Sequence, residues 1–274
     1  MLPWLLLLVL PSAYSLNCSY VFDGEHYARE SILTIDGYPY FLQLHPTTNN
    51  LIFTLIKQLN SKLYFTDDIY ILRNGTPVNV DIKDAKVPAT DFEHNRVFIG
   101  TRNGIKLLNS QNNASLDFVS LQNENIFRLF KPIAEDKLFV ITQTNKTVYQ
   151  LDLNTFEKSE VKLESPTVVN DIVVDREGNI FYRTSSWEFK VLLTGFNESI
   201  KFVGLDTNSW GLTIDNNDRV IAIMENGLYW LKQNSIIPKK LMDLDFVPKS
   251  VVFDYEDIYI STYNTIYKFS NNGC

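Results

Sequence analysis

The chain has 274 residues, of which 45% are hydrophobic, 13% aromatic and 21% charged, so it can bury a core and is not disordered. Lys and Arg number 25 and Asp and Glu number 32, which gives a net charge of −7. This balance argues against nucleic acid or an anionic membrane as a partner, because both bind clusters of Lys and Arg. Two cysteines and three histidines exclude a disulfide-dense scaffold and a His-rich metal cluster.

The N-terminus has the pattern of a targeting segment. Residues 1–10 read MLPWLLLLVL, and the small residues Ala13 and Ser15 follow. This pattern predicts a signal peptide over residues 1–15 and a mature chain over 16–274. An uncleaved anchor is disfavoured, because the run is shorter than the roughly 18–20 residues that span a bilayer. We therefore expect a secreted protein of the extracellular fluid with no membrane partner.

Secretion would permit a disulfide bond and N-linked glycans. Cys18 and Cys274 lie at the two ends of the mature chain, and we predict that they pair rather than remain free thiols. Such a bond requires the two ends to meet. Five N-x-[ST] sequons are predicted glycosylation sites, namely Asn17, Asn74, Asn113, Asn145 and Asn197.

The interior consists of a repeat. Short apolar strands recur between turn residues, and no stretch sustains a helical period. Pairs of strands begin at residues 63, 97, 138, 180, 220 and 258, which are 34, 41, 42, 40 and 38 residues apart. Units of about 40 residues with several short strands are typical of a β-propeller. We predict an all-β, single-domain, six-bladed β-propeller rather than an irregular β-sandwich.

Each unit is interpreted as four strands. Candidate first strands are 51–55, 128–133, 170–174, 210–214 and 249–253, and the first strand of the second unit is less clear. Candidate outer strands are 76–82, 115–121, 159–163, 199–203 and 239–244. In the first unit, 63–66 and 69–72 would be the second and third strands. The sixth unit ends at Phe269 without an outer strand, and the N-terminal segment 31–44 can supply it. A Cys18–Cys274 bond would then latch the closed ring.

One end of the predicted ring carries aromatic and Arg residues. In a four-stranded blade, the links from second to third strand and from outer to next first strand share this end. Rings stack on a planar ligand, and guanidinium groups pair with carboxylate or sulfate. The pattern predicts a site for a planar acidic small molecule, although large aromatics are more often core residues. The candidates are Trp187, Trp210, Arg183, Arg128, Arg102, Tyr263 and Asn170.

Residues 169–180, VNDIVVDREGNI, resemble the P-N-D-x-x-x-D-x-x-G-x-[ILV] blade of gluconolactonase-like six-bladed propellers. In that family the Asn at the position of Asn170 helps bind a catalytic divalent metal, so the resemblance implies a Ca²⁺-dependent lactonase or esterase. The next blade should then present an Asp where this chain has Trp210. Glu25 or Glu30 would also have to replace an N-terminal Glu of the family. With this set broken, we expect no metal cofactor and keep the enzyme as an alternative.

Over its whole length the chain resembles the ommochrome-binding proteins of moth haemolymph. The likeness rests on the start MLPWLLLLVLPSAYS, on CSYVFDG at 18–24, and on the size, acidity and degenerate repeat. It implies a circulating haemolymph protein whose ligand is a planar, tryptophan-derived pigment such as an ommatin. We expect this carrier to be non-catalytic and monomeric. Besides the lactonase, a protein-binding propeller remains an alternative.

Overall fold

The computed structural model describes residues 18–59, 64–108, 115–163, 167–205, 208–272 and 274. The predicted signal peptide over 1–15 and the sequons at Asn17 and Asn113 lie outside these residues. Nowhere in the described ranges is there a helix long and apolar enough to cross a membrane. The strands are β1 Tyr20–Phe22, β2 Glu25–Thr34, β3 Tyr38–Leu44, β4 Leu51–Leu59, β5 Tyr64–Arg73, β6 Thr76–Asn79, β7 Ala85–Asp91, β8 Arg96–Thr101, β9 Gly104–Leu108, β10 Ser115–Ser120, β11 Ile126–Phe130, β12 Lys137–Thr142, β13 Val148–Asp152, β14 Lys158–Glu160, β15 Val169–Val174, β16 Ile180–Thr184, β17 Phe189–Leu192, β18 Ser199–Lys201, β19 Ser209–Ile214, β20 Val220–Met224, β21 Gly227–Trp230, β22 Lys239–Asp243, β23 Ser250–Phe253, β24 Asp257–Ser261 and β25 Thr265–Ser270.

Consecutive strands pair antiparallel and form sheets. Four sheets have four strands each, β3 to β6 (sheet I), β7 to β10 (sheet II), β11 to β14 (sheet III) and β15 to β18 (sheet IV). Sheet V has nine strands in the order β19-β20-β21-β22-β1-β2-β25-β24-β23. Strands such as β8 and β20 are buried along almost their whole length. Residues 97–99 and 220–224 of these strands are apolar without interruption, because both faces of the sheet are covered by neighbours.

The first strands form a closed cycle of contacts. β3 contacts β7, and the cycle continues through β11, β15, β19 and β23 back to β3. Apolar side chains fill the spaces between neighbouring sheets, for example Phe98 and Leu138 between sheets II and III, and Phe181 and Ala222 between sheets IV and V. Each of these four is at most 2% exposed. The predicted all-β propeller architecture is confirmed, and its first strands surround a central space.

In the first repeat unit, the sequence assigned segments to the wrong strands of the sheet. The segment 51–55 belongs to the second strand of sheet I, β4, and the first strand is β3. The stretch 63–72 was read as two strands separated by a turn at Asp67 and Asp68, but 64–73 is one strand, β5. Asp67 and Asp68 pair with Ile56 and Leu55 of β4. Continuous pairing with a long neighbour overrides the low strand propensity of Asp.

The N-terminal segment is divided between two sheets. Residues 25–34 form β2, which pairs with β25 from Ala28↔Ser270 to Thr34↔Thr265 and supplies the missing outer strand. Residues 38–44 belong to sheet I and take no part in this closure. The two parts separate at Gly37, whose φ is +120° and whose added Cβ would lie 2.9 Å from the Ile56 carbonyl oxygen. Glycine therefore permits the close turn between the sheets.

The two chain ends meet as predicted. Cys18 and Cys274 form a disulfide with a Cα–Cα distance of 5.7 Å. Strand β1 forms a hairpin with β2 through Asp23 and Gly24, which both have positive φ, as a two-residue Asp-Gly turn requires. The other edge of β1 pairs with β22 at Phe22↔Met242. The hairpin thus joins the two halves of sheet V.

Aspartates directly after two of the first strands organise the following turns. Asp175 Oδ1 accepts hydrogen bonds from the backbone N–H groups two and four residues later, at 3.0 and 2.9 Å. Asp215 does the same at 3.0 and 2.9 Å. Both are at most 7% exposed. The second Asp of the gluconolactonase-like motif, Asp175, is therefore a turn-forming residue in this chain.

Candidate functional site

A cavity of about 240 Å³ lies in the central space, where β11, β15, β19 and β23 begin. Five of the six first strands contribute to its wall, and β16, the link after β16, β20 and the link before β23 contribute the remaining residues. Its ionisable groups other than tyrosine are the cationic Arg128, Arg183 and Lys249 and the anionic Asp171. The cavity is thus cationic within a protein whose net charge is −7. The lining residues are Tyr40, Phe41, Leu42, Gln43, Phe127, Arg128, Asn170, Asp171, Arg183, Trp187, Ser209, Trp210, Gly211, Leu212, Thr213, Ile223, Lys249, Ser250 and Val251.

Most of the residues predicted to bind a ligand meet in this cavity. Of the seven predicted from sequence, five lie in its wall: Trp187, Trp210, Arg183, Arg128 and Asn170. Arg102 and Tyr263 do not. The Arg102 side chain is 55% exposed, and its Nε lies 3.9 Å from Asp84. Tyr263 is 52% exposed and contacts the cavity residue Lys249 from outside the wall.

Arg128 and Asp171 form a buried ion pair that joins three sheets. Arg128 Nε donates to Asp171 Oδ1 at 2.6 Å, and both residues are at most 8% exposed. The carboxylate also accepts from the backbone N–H of Ile172 at 2.9 Å and of Leu212 at 2.7 Å. The Asp171 carboxylate approaches β19 closely at Gly211, where an added Cβ would lie 2.7 Å from Asp171 Oδ2. Only glycine leaves room for the carboxylate at this position. Asp171 is therefore engaged by three donors, and Arg128 is held in place by it.

Arg183 has a different environment. It is 8% exposed, and no described carboxylate forms an ion pair with it. Its hydrogen bond to the Ser209 carbonyl oxygen is long, at 3.4 Å, and its Nε is buried without a partner. Burial lowers the pKa of Arg183, and the field of Arg128 acts in the same direction, whereas Asp171 opposes them. An anion beside this guanidinium would relieve the cost of burying its charge.

Two further buried donors without a partner belong to the same wall. They are the Ser209 hydroxyl oxygen and the Trp210 indole Nε1. Buried polar groups are almost always hydrogen-bonded, so three such groups around one cavity point to a ligand acceptor. Asn170 and Gln43 add amide groups to the wall. These wall residues therefore carry unmet hydrogen-bonding capacity of the kind that an anion would satisfy.

Aromatic rings cover the remaining wall. The guanidinium carbon of Arg183 lies 4.8 Å from the Trp187 ring centroid, and that of Arg128 lies 4.8 Å from the ring centroid of Phe41. Burial raises the pKa of Tyr40 to about 12, so its hydroxyl stays neutral. Flat rings beside cationic groups suit a planar ligand that carries an acidic group.

Several wall residues were not predicted from the sequence. Phe41 lies on β3, in the segment that was predicted to close the ring, and Phe127 and Ser209 directly precede the selected residues Arg128 and Trp210. Lys249 was visible in a link that enters a first strand. Its signal was weak, because a single lysine in a loop is usually solvated, whereas here it is 3% exposed. Lys249 could have been predicted from its position at the start of a first strand.

The wall does not fit a hard divalent metal ion. Ca²⁺ takes about 6–8 oxygen ligands, usually including several carboxylates. The single carboxylate in the wall, Asp171, already serves three donors, and the cationic groups of Arg183 and Lys249 share the cavity. Glu25 and Glu30, considered as replacements for the family's N-terminal Glu, are exposed on β2 at the outside of sheet V.

The described sequons lie on exposed turns. Asn74 follows β5, Asn145 lies between β12 and β13, and Asn197 lies between β17 and β18. All three asparagines are exposed. Asn145 is in a link at the same end of the ring as the cavity, whereas the other two are in links to outer strands. Exposure is the condition that a glycan requires, and glycosylation itself stays a prediction.

The fold is similar to that of solved gluconolactonase-like propellers. A gluconolactonase from Xanthomonas campestris is 10% identical, with a TM-score of 0.70 over 91% of this chain and 90% of that chain. A protein described as a putative gluconolactonase is also 10% identical, with a TM-score of 0.66 over 89% and 92%. Virginiamycin B lyase from Staphylococcus aureus is 12% identical, with a TM-score of 0.56 over 89% and 99%.

No family model and no curated protein sequence matches the chain. At 10–12% identity, the likeness to solved structures concerns the fold alone. It agrees with the resemblance of residues 169–180 to gluconolactonase-like propellers. It gives no support to the resemblance to ommochrome-binding proteins.

The two cavity tryptophans should respond differently to truncation. Trp210 packs against the apolar cluster of sheet V, so Trp210→Ala is expected to lower the free energy of unfolding by about 2–4 kcal/mol. Trp187 lies in a link with a φ of +66° and is 44% exposed. Because nearly half of its surface is exposed, Trp187→Ala should change the free energy of unfolding by less than about 1 kcal/mol. Urea unfolding of both variants tests this. Equal losses would show that Trp187 is also a packing residue.

Proposed function

We propose that the described sheets form a six-bladed propeller. Sheet V then counts as two blades, β19 to β22 and β23 to β25 with β2, which the β1 strand joins at their outer edges. The cycle of six first strands supports this count. The whole mature chain, residues 16–274, would be one domain. The disulfide between Cys18 and Cys274 is compatible with the secreted, extracellular location that the N-terminal pattern predicts.

We propose that the cavity binds a planar aromatic molecule that carries a carboxylate or sulfate group. The observation that carries this proposal is the set of three buried donors without partners, Arg183 Nε, Ser209 Oγ and Trp210 Nε1, in one wall. Trp187 and Trp210 provide rings on which the ligand stacks. A cavity of about 150 Å³ holds benzene, so 240 Å³ suits one or two rings, with further groups extending through the mouth.

A fluorescence titration tests this proposal. Two of the four tryptophans lie in the wall, so a bound ligand should quench the protein's emission. We expect 2-naphthoate to bind at least about ten times more tightly than neutral 2-naphthamide, because hydrogen bonds to a charged group contribute about 1.5–3 kcal/mol. Equal affinities for the acid and the amide would contradict an anion site.

The tryptophan-derived pigment is a narrower proposal within this class, and it rests on the sequence resemblance alone. In it the protein is a non-catalytic, monomeric carrier with no cofactor besides the pigment. An absorption spectrum of the protein purified from its native fluid tests it. A visible band that stays with the protein through gel filtration would support the pigment, and a colourless protein whose tryptophans ommochrome does not quench would contradict it.

A lactonase or esterase of the gluconolactonase-like class is the second candidate, and the structural neighbours favour it over the pigment carrier. The cationic wall argues against the divalent metal that this class would use. Hydrolysis of glucono-δ-lactone, measured with added Ca²⁺ and with chelator, distinguishes the candidates. Metal-dependent turnover that Asn170→Ala abolishes would establish the enzyme, and its absence with intact 2-naphthoate binding would favour the binding protein.

A further inference from the structure

Lys249 is a buried lysine of the cavity wall that none of the described carboxylates neutralises. It directly precedes β23 and is 3% exposed, and its backbone N–H donates to the Ser261 carbonyl oxygen at 2.8 Å. Its Nζ lies 2.8 Å from the Trp210 ring centroid and 4.2 Å from that of Tyr263. Within the described ranges, no carboxylate forms an ion pair with it. The amine is therefore held between the ring of the wall residue Trp210 and that of Tyr263, which lies outside the wall.

This environment favours the reactive form of the side chain. Burial lowers the pKa of Lys249 to about 8, although Glu225 opposes the shift and the two ring faces also favour the ammonium. At pH 7.5, a pKa near 8 leaves roughly a quarter of the lysine as free amine, against about 0.1% for an ordinary lysine. Lysines desolvated in apolar pockets are the ones that form Schiff bases with carbonyl compounds.

We propose that Lys249 forms a reversible imine with an aromatic aldehyde or ketone that carries a carboxylate. The inference rests on the proposed anion site, in which Arg183 holds the carboxylate and Trp210 stacks on the ring. The nitrogen lone pair attacks the carbonyl carbon, and the carbonyl oxygen leaves as water with the two amine hydrogens. A C=N bond replaces the C=O bond, and no oxidant or reductant is needed.

Reductive trapping tests the inference on the full-length protein. We would incubate it with 4-formylbenzoate and cyanoborohydride at pH 7.5 and map the adduct by peptide mass spectrometry. Hydride adds to the imine carbon and leaves a stable secondary amine on the modified lysine. We expect Lys249 to be labelled at least about ten times faster than lysines of ordinary pKa, in line with its larger free-amine fraction. We also expect it to be labelled faster than Lys146, which is outside the cavity wall, and we expect benzoate to slow the labelling of Lys249.

The chain contains a matched control. Lys146, between β12 and β13, also has its pKa lowered to about 8 by burial and by the fields of Lys86 and Arg183, and it contacts the Phe127 ring. It is not part of the cavity wall. Lys146→Arg should leave the adduct unchanged, whereas Lys249→Arg keeps the positive charge but abolishes the adduct. If Lys249→Arg does not fold, benzoate protection of the wild-type protein decides instead.

Three outcomes would overturn the inference, and they are distinguishable. Labelling spread over many lysines, or equal at Lys146 and Lys249, would show that the cavity adds no selectivity. Quenching by benzoate without any Lys249 adduct would refute the imine and leave the anion site intact. Failure of benzoate both to quench the tryptophans and to protect Lys249 would refute the proposed anion site itself.

Discussion

Asp171→Ala is expected to lower the free energy of unfolding by about 3–5 kcal/mol, because it leaves the buried Arg128 without its counter-charge. The substitution also removes the acceptor of the Leu212 backbone N–H, which is 2.7 Å from Asp171 Oδ2. Asp171 therefore connects β15 with both neighbouring first strands, β11 and β19. Urea unfolding followed by far-ultraviolet circular dichroism measures the loss.

A double variant separates the charge effect from general disruption. Arg128→Met removes the charge that Asp171→Ala leaves unpaired, so the double variant should lose clearly less than the sum of the two single losses. Asp243→Ala serves as a control, because its pair with Lys240 is exposed and should contribute less than about 1 kcal/mol. Additive losses would show that Arg128 and Asp171 stabilise the ring independently.

Arg183→Gln is expected to weaken binding of 2-naphthoate by about 10- to 100-fold, since a charged hydrogen bond contributes roughly 1.5–3 kcal/mol. In contrast to Arg128, Arg183 has no ion pair with a described carboxylate, and burial lowers its pKa. Its removal should therefore leave the free energy of unfolding unchanged or raise it. Fluorescence titration and urea unfolding of the same preparation measure both effects.

Arg102→Gln is the matched control for this variant. Arg102 and Arg183 were both predicted from sequence as ligand-binding residues, but the Arg102 side chain is 55% exposed and lies outside the cavity wall. Its replacement should leave the affinity for 2-naphthoate within a factor of two. Equal losses in the two variants would indicate a diffuse electrostatic effect, and a loss of stability in Arg183→Gln would indicate a structural role.

Much of the fold was predictable because each repeat encodes its strands locally. The candidate first strands 170–174 and 210–214 became β15, Val169–Val174, and β19, Ser209–Ile214. Prediction failed in the first unit, where the pairing partner β4 kept β5 continuous through two aspartates. It also left the first strand of sheet II, β7, unclear, since Pro88 and Asp91 obscure its pattern. In both places, pairing with a neighbouring strand outweighed the local propensity of the residues.

The sequence predicted at which end of the ring the candidate site lies, but only some of the residues that form it. Repeat topology places the links of one end around the central space, and five of the seven selected residues indeed lie in one cavity wall. The phenylalanines and Lys249 were not selected, because burial inside the ring depends on the neighbouring sheets. A loop lysine and a buried lysine look alike in a sequence.

The amino-acid sequence by itself determined the repeat and the meeting of the two ends. The repeat follows from local apolar patterning and turn residues, and the two cysteines lie at the ends of the chain. Only the tertiary structure decided the role of each charged group. Arg128 and Arg183 are equivalent by sequence pattern, yet one meets a carboxylate 43 residues away and the other meets none among the described residues. The physical reason is that partners of buried charges come from neighbouring sheets, and packing alone determines which of them lie within hydrogen-bonding distance.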